Sequence, residues 1–257
     1  MSTDARSAET IRPTIDMWRS LMLSLVLCTY AVLPAAADVA IVPCARDNTL
    51  FADSEGDTSN GAGPAFFAGR NGQDLTRRAL LAFDLVDAVP AGARIDSVFL
   101  TLHVSSAPDE AARGFSLHRT LRDWGEGQSY SSGGAGAPAT VGDATWLHAF
   151  YPAMLWAQSG GDFYPAASAT QTCGDIGFYT WSDPGLAADV TAWLSSPADN
   201  HGWVLCGEES GPQTVRRFDS RETSLIVNRP TLTIYFSNLE PVAVSHSSWG
   251  RLKASYR

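Results

Sequence analysis

The order of hydrophobic and polar positions is that of β-strands over most of the chain. The longest alternation runs from Ile95 to Val104, where apolar residues take turns with polar or aromatic ones. A different pattern, apolar at nearly every position, covers residues 79–85 and is typical of a strand buried on both faces. The segments predicted as strands are 39–43, 79–85, 95–104, 115–121, 203–206, 215–218 and 232–236.

Only one segment has the spacing of a helix. From Pro184 to Ser195, Leu186, Val190 and Trp193 recur on one helical face. Glycine, proline and asparagine separate the strand segments, as they do at turns. Many short strands with a single short helix favour an all-β fold, an antiparallel β-sandwich of jelly-roll type.

Strand periodicity disappears between Asp123 and Asp183, so the sandwich is predicted to carry a long irregular insertion. This stretch holds 11 of the 24 aromatic residues that remain when Trp18 and Tyr30 are set aside, which is too many for a plain linker. The rings could stack on the apolar faces of sugars, or they could form the core of a segment that folds over one sheet. The tryptophans considered as ligand-binding residues are Trp124, Trp146, Trp156 and Trp181. By contrast, Trp193 and Trp203 lie on periodic segments and are predicted to be core residues.

The N-terminus has the pattern of a secretory signal peptide. A short basic start at Met17 precedes the apolar run from Leu21 to Leu33, and the run ends in Ala35-Ala36-Ala37. This run is shorter than the ~20 apolar residues of an ordinary membrane-spanning helix. We expect cleavage after Ala37 and a secreted or cell-surface location. The predicted organisation is a leader at 1–37 (with residues 1–16 suggesting an over-extended start), a β domain at 38–237 and a tail at 238–257.

Charge excludes several classes of function. The chain has 18 Lys and Arg against 27 Asp and Glu, a formal net charge of -9, so general nucleic-acid binding is not expected. The single lysine is Lys253 in the tail, which excludes phosphate-loop and Schiff-base lysines from the β domain. No membrane span is predicted in the mature chain, and the oligomeric state is left open.

Three cysteines remain after the leader: Cys44, Cys173 and Cys206. One disulfide is expected in an exported protein, with one thiol left over. Spacing does not decide the pairing. Cys173–Cys206 is preferred because both residues flank segments with strand patterns.

Alternating carboxylates in a loop suggest a cation site. Asp53, Glu55 and Asp57 lie in a segment rich in glycine and asparagine, and calcium prefers six to eight oxygen ligands. The alternative is a solvated acidic loop, because the glycine and the distal glutamate of the twelve-residue calcium motif are missing. Structural calcium is the one cofactor that the sequence suggests.

A second charged group follows the strand segment 215–218. Asp219, Arg221 and Glu222 surround Ser220 and could be read as a catalytic cluster. A nucleophilic serine needs an adjacent base, and none is visible nearby, so we favour a structural ion-pair network. No catalytic residue is predicted.

An ordered series of short motifs runs along the predicted β domain. The pieces are Asp47-Asn48-Thr49-Leu50, Ser59-Asn60-Gly61, Arg78-Ala79-Leu80-Leu81-Ala82-Phe83, Pro90-Ala91-Gly92-Ala93, Asp123-Trp124-Gly125-Glu126-Gly127, Asp189-Val190-Thr191-Ala192-Trp193, Asn200-His201-Gly202-Trp203, Phe218-Asp219-Ser220-Arg221-Glu222 and Arg229-Pro230-Thr231-Leu232. This series resembles the DNRLRE domain proteins, a family of secreted bacterial and archaeal modules. The resemblance covers residues 38–237 and implies a jelly-roll β-sandwich that serves as an accessory module. Some members are classed as carbohydrate-binding, and no catalytic triad is shared across the family.

The sequence therefore predicts a secreted, non-catalytic β-sandwich that binds a polysaccharide or cell-surface glycan. One alternative is an extracellular polysaccharide-degrading lyase or hydrolase, although the family resemblance leaves little chain for a catalytic domain. The other alternative is a structural or adhesive surface protein.

Overall fold

A computed structural model describes residues 37–238, which form antiparallel sheets and one α-helix. The leader up to residue 36 and the tail from residue 239 lie outside the described residues. The strands are β1 (Asp38–Phe51), β2 (Thr58–Ser59), β3 (Ala65–Arg70), β4 (Thr76–Phe83), β5 (Arg94–Ser106), β6 (Arg113–Arg119), β7 (Ala137–Pro138), β8 (His148–Phe150), β9 (Met154–Leu155), β10 (Ala169–Cys173), β11 (Gly177–Trp181), β12 (Trp203–Cys206), β13 (Arg216–Asp219) and β14 (Thr231–Ser237), and the helix is α1 (Pro184–Ser195). The antiparallel β class and the helix are confirmed, and each predicted strand has a counterpart.

Six strands pair in a closed, barrel-like ring. The order is β1, β14, β5, β13, β3, β4 and back to β1. The long strand β1 closes this ring, because its first half pairs with β14 and its second half with β4. The register shifts between Cys44 and Arg46, where the strand passes from one partner to the other.

Two sheets extend from this ring. In the first sheet, β11 pairs with β5 on the side opposite β14. In the second sheet, β12 pairs with β4, β6 with β12, and β10 with β6. The irregular insertion is shorter than predicted, because β10 and β11 lie inside residues 123–183.

The main core fills the space between the inner faces of the two sheets. Alternate residues of β5, such as Leu100 and Leu102, are fully buried there, as the period-two pattern requires. Helix α1 packs against this core through Leu186, Val190 and Trp193. The predicted core positions of Trp193 and Trp203 are confirmed, and their rings meet edge to face with centroids 4.6 Å apart.

The chain between β6 and β10 folds over the outer face of the second sheet, and we call residues 120–168 the covering segment. Its buried residues Trp124 and Trp156 join Leu50, Leu80 and Val204 of β1, β4 and β12 in a second hydrophobic cluster. Backbone hydrogen bonds fix both ends of the segment, for example from Thr120 to the carbonyl of Gly202 (2.9 Å). One face of the second sheet is thereby removed from solvent.

Helices in the described part of the chain are all too short or too polar to cross a membrane.

Candidate functional site

Three of the four tryptophans considered for ligand binding are buried. Trp124 and Trp181 are fully buried and Trp156 is 6% exposed. Each indole N–H donates to a backbone carbonyl: that of His201 for Trp124 (2.8 Å), Thr145 for Trp156 (2.9 Å) and Phe115 for Trp181 (3.1 Å). Rings without an accessible face cannot stack on a sugar, so the prediction of a binding role for these three is wrong. Their role is packing, which was the alternative.

Trp146 differs from the other three because it is only half-buried. The guanidinium of Arg78 lies 5.1 Å from its ring centroid, and both Nε and Nη2 of Arg78 donate to the carboxylate of Glu209 (2.8 and 2.9 Å). A cation held in this way covers one face of the ring. Trp146 therefore offers a ligand little aromatic surface.

The predicted calcium loop does not gather its carboxylates. Glu55 and Asp57 are exposed, whereas Asp53 is half-buried and its Oδ1 accepts the backbone N–H of Gly56. Throughout residues 37–238 there is no group of three His, Cys, Asp or Glu side chains that could hold a metal ion. The geometry matches the solvated-loop alternative for Glu55 and Asp57.

The predicted disulfide Cys173–Cys206 is absent, and both residues are free thiols, as is Cys44. The reason is strand order: Cys173 pairs with Arg113 and Cys206 with Ser116, so that β6 lies between them. Two strand spacings amount to about 9.5 Å, more than the ~7 Å limit on the Cα separation of a disulfide. Burial raises the pKa of Cys173 and of Cys206 to about 12.

A buried ionic network joins three segments that are far apart in sequence. Arg221, in the loop after β13, donates to both carboxylate oxygens of Glu126 (2.6 and 2.7 Å) and forms an ion pair with Glu222 (2.8 Å). Its backbone N–H donates to Oδ2 of Asp47 in β1 (2.8 Å), and the backbone N–H of Asp47 donates to Glu126 (2.9 Å). One arginine thus holds three carboxylates together.

The glycines on either side of Glu126 allow the chain to pass close to residues 142–143 of the covering segment. At Gly125 a side chain would collide with the carbonyl of Gly142, and at Gly127 with the carboxylate of Asp143. Gly127 also has φ +74°, which disfavours other residues. The Gly125-Glu126-Gly127 motif therefore places Glu126 beneath Arg221.

The pKa values in this network show how strongly burial acts on it. Burial, followed by the charge of Glu222, raises the pKa of Asp47 well above its usual value, and burial likewise raises the pKa of Glu222. The hydrogen bonds that Arg221 donates to Glu126 raise the pKa of Arg221. Oδ1 of Asp47 and Oε2 of Glu222 have no hydrogen-bond partner in the structure. The network is therefore structural, but the carboxylates of Asp47 and Glu222 are only partly compensated by hydrogen bonds and by the charge of Arg221.

The predicted structural network of Asp219, Arg221 and Glu222 is correct for the last two residues only. Asp219 is the last residue of β13 and makes its contacts elsewhere, beside His103 of β5. There its Oδ2 lies 2.7 Å from Nδ1 of His103 and accepts the side-chain amide of Asn228 (2.9 Å). Arg217 lies beside it at 3.6 Å.

The outer face of the first sheet is open, unlike that of the second sheet. We call this surface the open face, and it consists of the outward residues of β1, β14, β5 and β11: Val39, Ile41, Phe99, Thr101, His103, Phe178, Thr180, Thr231, Thr233 and Tyr235. Phe178 is 56% exposed and Tyr235 is 40% exposed. Tyr130 and Tyr164 of the covering segment are exposed as well, but the open face places its exposed rings on paired strands of one sheet.

Rings and hydroxyls are ordered on the open face by strand register. Phe99 meets Tyr235 edge to face (5.7 Å between centroids), and Phe178 lies 4.6 Å from the ring of His103. Between these two pairs the hydroxyls of Thr101 and Thr180 are 3.0 Å apart. Phe99 and His103 are four residues apart on β5, so the ring pairs are separated by about 13 Å. A chain of sugars has room to touch both.

The sequence predicts part of the open face. The alternation of β5 sets Phe99, Thr101 and His103 opposite the core residues, but it does not show which strands lie beside them. Phe178 was hidden in the segment without strand periodicity. Comparison with known proteins adds no further assignment: no protein-family model matches the chain, and no curated protein matches it significantly.

Proposed function

We propose that the protein is a secreted, non-catalytic glycan-binding module that binds a polysaccharide or cell-surface glycan on the open face. The observation that carries the proposal is the alignment of exposed rings and threonine hydroxyls across β14, β5 and β11. Aromatic rings stack on the apolar faces of sugars, and hydroxyls exchange hydrogen bonds with those of the sugar. Trp124, Trp156 and Trp181 are buried, whereas the open face carries two exposed rings, Phe178 and Tyr235, on one sheet.

Two further features support the proposal. The motif series resembles the DNRLRE modules and suggests a jelly-roll β-sandwich; three of its pieces contribute the residues Asp47, Asn48, Glu126 and Arg221, which hydrogen-bond together. The apolar run ending at Ala37 supports export. Exported protein is expected to begin at Asp38 by N-terminal sequencing, and an intact leader on exported protein would contradict this part.

The test is retention on an array of immobilised polysaccharides, followed by single substitutions on the polysaccharide that retains the protein. Phe178→Ala and Tyr235→Ala should each weaken binding about tenfold, equivalent to ~1.4 kcal/mol. Because both rings are exposed, the midpoint of urea unfolding should change little. Tyr130→Ala is the matched control, since Tyr130 is 63% exposed but lies on the covering segment. Equal losses in all three variants would refute the open face, and no retention on any polysaccharide would favour a structural or adhesive role.

A second candidate is a polysaccharide-degrading enzyme, and one observation favours it. The carboxylate of Asp219 orients Nδ1 of His103, and this arrangement leaves Nε2 of the imidazole available as a general base. Incubation with the retained polysaccharide, with products measured by reducing ends and by absorbance of unsaturated sugars, distinguishes the two functions. Turnover that is lost in His103→Gln would establish the enzyme and overturn the non-catalytic proposal.

A further inference from the structure

A small cavity of about 370 Å³ lies at the end of the molecule where β1 leaves the sheet. Phe51, Asp53 and Arg77 line it together with the loop that joins β3 to β4, and Gly134-Ala135 of the covering segment form its far wall. This volume is at the low end of the range for small-molecule sites, ~300–1,000 Å³. The cavity has no residue in common with the open face.

Arg77 is a buried charge without a counter-ion. The residue is only 6% exposed, and its guanidinium stacks over the ring of Phe51 at 4.7 Å. Nη1 donates to the carbonyl of Thr76 (2.9 Å), while Nε has no partner. Within residues 37–238, no carboxylate forms an ion pair with Arg77. Burial lowers the pKa of Arg77, and the negative charge of the nearby Asp53 offsets part of that decrease. A buried arginine without a counter-ion destabilises the folded protein unless another group pairs with its charge.

A second unpartnered atom borders the same cavity. Oδ1 of Asp53 accepts the N–H of Gly56, but the buried Oδ2 accepts nothing. An ionised carboxylate accepts hydrogen bonds and donates none, so its second oxygen requires a donor such as a hydroxyl. The cavity is therefore lined by an arginine without an ion pair among residues 37–238 and by a carboxylate with one unpartnered oxygen.

We propose that this cavity binds a small anion that also carries hydroxyl groups. The acidic group of the ligand accepts hydrogen bonds from the guanidinium of Arg77, and a hydroxyl donates to the carboxylate of Asp53. Charge-assisted hydrogen bonds of both kinds are among the stronger ones in proteins. Asp53 also gives selectivity, because its charge repels an anion that brings no hydroxyl to satisfy it. The site is independent of glycan binding on the open face.

Matched pairs of ligands test the proposal by calorimetry on the mature protein. D-gluconate should bind and sorbitol, its uncharged analogue, should not; glycerol 3-phosphate and glycerol form a second pair with phosphate as the acid. Acetate, an anion without hydroxyls, should bind more weakly than gluconate. Failure of both anions to bind more tightly than their neutral analogues would overturn the proposal.

Variants separate the two roles within the site. Arg77→Met should weaken gluconate binding at least about tenfold, whereas Arg94→Met, at an arginine whose side chain is 65% exposed, should have no effect. Asp53→Asn removes the repulsion, so acetate should bind more tightly and the preference for gluconate over acetate should shrink. If Arg77→Met does not fold, the Asp53→Asn variant alone decides. A preference for gluconate over acetate equal to that of the wild type would refute the role of Asp53 and with it the site.

Discussion

Arg221 is the residue on which the charged part of the scaffold depends. It neutralises Glu126 and Glu222 and fixes Asp47 through its backbone N–H, so removing its side chain leaves three neighbouring carboxylates without their cation. Breaking a fully buried pair costs ~3–5 kcal/mol. The Arg221 side chain is 39% exposed, which reduces that cost through solvent screening.

We therefore expect Arg221→Ala to lower the free energy of unfolding by ~1–3 kcal/mol, measured by urea unfolding at pH 7. Arg94→Ala is the control, because the Arg94–Asp96 pair has a 65% exposed arginine and should contribute almost nothing. An Arg221→Ala midpoint equal to that of the wild type would remove Arg221 from the scaffold.

Asp47 makes stability depend on pH in a direction opposite to that of most carboxylates. Its pKa in the folded protein is raised by burial, so above the usual value of 3.8 the folded state keeps a proton that the unfolded state has lost. The folded state binds more protons there, and the free energy of unfolding falls as pH rises through this window. The contribution of Asp47 is most favourable at acid pH and is lost at and above its folded pKa.

Asp47→Asn should remove this dependence while retaining an oxygen for the N–H of Arg221. Urea unfolding from pH 4 to pH 8 should show the stability of the variant relative to the wild type increasing with pH. The exposed Asp175 provides the control, since Asp175→Asn should give a curve parallel to that of the wild type. A constant difference between Asp47→Asn and the wild type across the range would show that Asp47 does not titrate abnormally.

At the scale of elements, the sequence predicts what depends on local periodicity. The strands β5 and β6 follow from alternation, β12, β13 and β14 follow from short strand-like segments, and α1 follows from helical spacing and its first residue, Pro184. The second half of β1 was not predicted, because Asp47, Asn48 and Thr49 are polar and yet fully buried. Their burial is compensated by hydrogen bonds to distant segments, such as Asn48 to the carbonyl of Glu126 (2.8 Å), and such bonds leave no periodic signal.

The packing of the covering segment also depends on contacts between distant parts of the chain, which the sequence pattern does not reveal. Its high ring content indicated that it must pack on something or present its rings, but only tertiary contacts decide between the two. Trp124 packs on Leu50, Leu80 and Val204, residues of three different strands. The strands β10 and β11 were hidden for a related reason: they are short, and their polar residues pair at sheet edges.

The packing role of the covering segment leads to a prediction for Trp124. Trp124→Ala should lower the free energy of unfolding by ~3–5 kcal/mol, because it removes a fully buried ring and the hydrogen bond to His201. Folded Trp124→Ala protein should retain glycan as the wild type does. Phe178→Ala should show the reverse, with nearly unchanged stability and weakened retention. Weak retention by a folded Trp124→Ala protein would return the binding site to the covering segment.

At the scale of the whole molecule, the two sheets have different exteriors. The covering segment shields the second sheet, and its residues Trp124 and Trp156 are buried in one cluster with Val204 of that sheet. On the first sheet, Phe178 and Tyr235 remain exposed. In the proposed function, packing and glycan recognition therefore lie on opposite sides of one core. This division allows substitutions on the open face to report on binding without disturbing the fold.

The same core makes the thiols a measure of global unfolding. Cys44 and Cys173 are buried and Cys206 is half-buried, and burial raises the pKa of Cys173 and Cys206 to about 12 and that of Cys44 well above its usual value. At pH 8 a thiol with a pKa of about 12 is ionised in only about one molecule in 10,000, and the thiolate is the reactive form.

Protein beginning at Asp38 should therefore react very slowly with a thiol reagent such as dithionitrobenzoate at pH 8. In denaturant it should release three equivalents at once, because β6 keeps Cys173 and Cys206 apart and no disulfide forms. A reductant should leave the midpoint of urea unfolding unchanged, since there is no cross-link whose loss would enlarge the unfolded ensemble. One equivalent in denaturant, together with a midpoint lowered by reductant, would mean that two cysteines are joined and that the strand order around β6 is different.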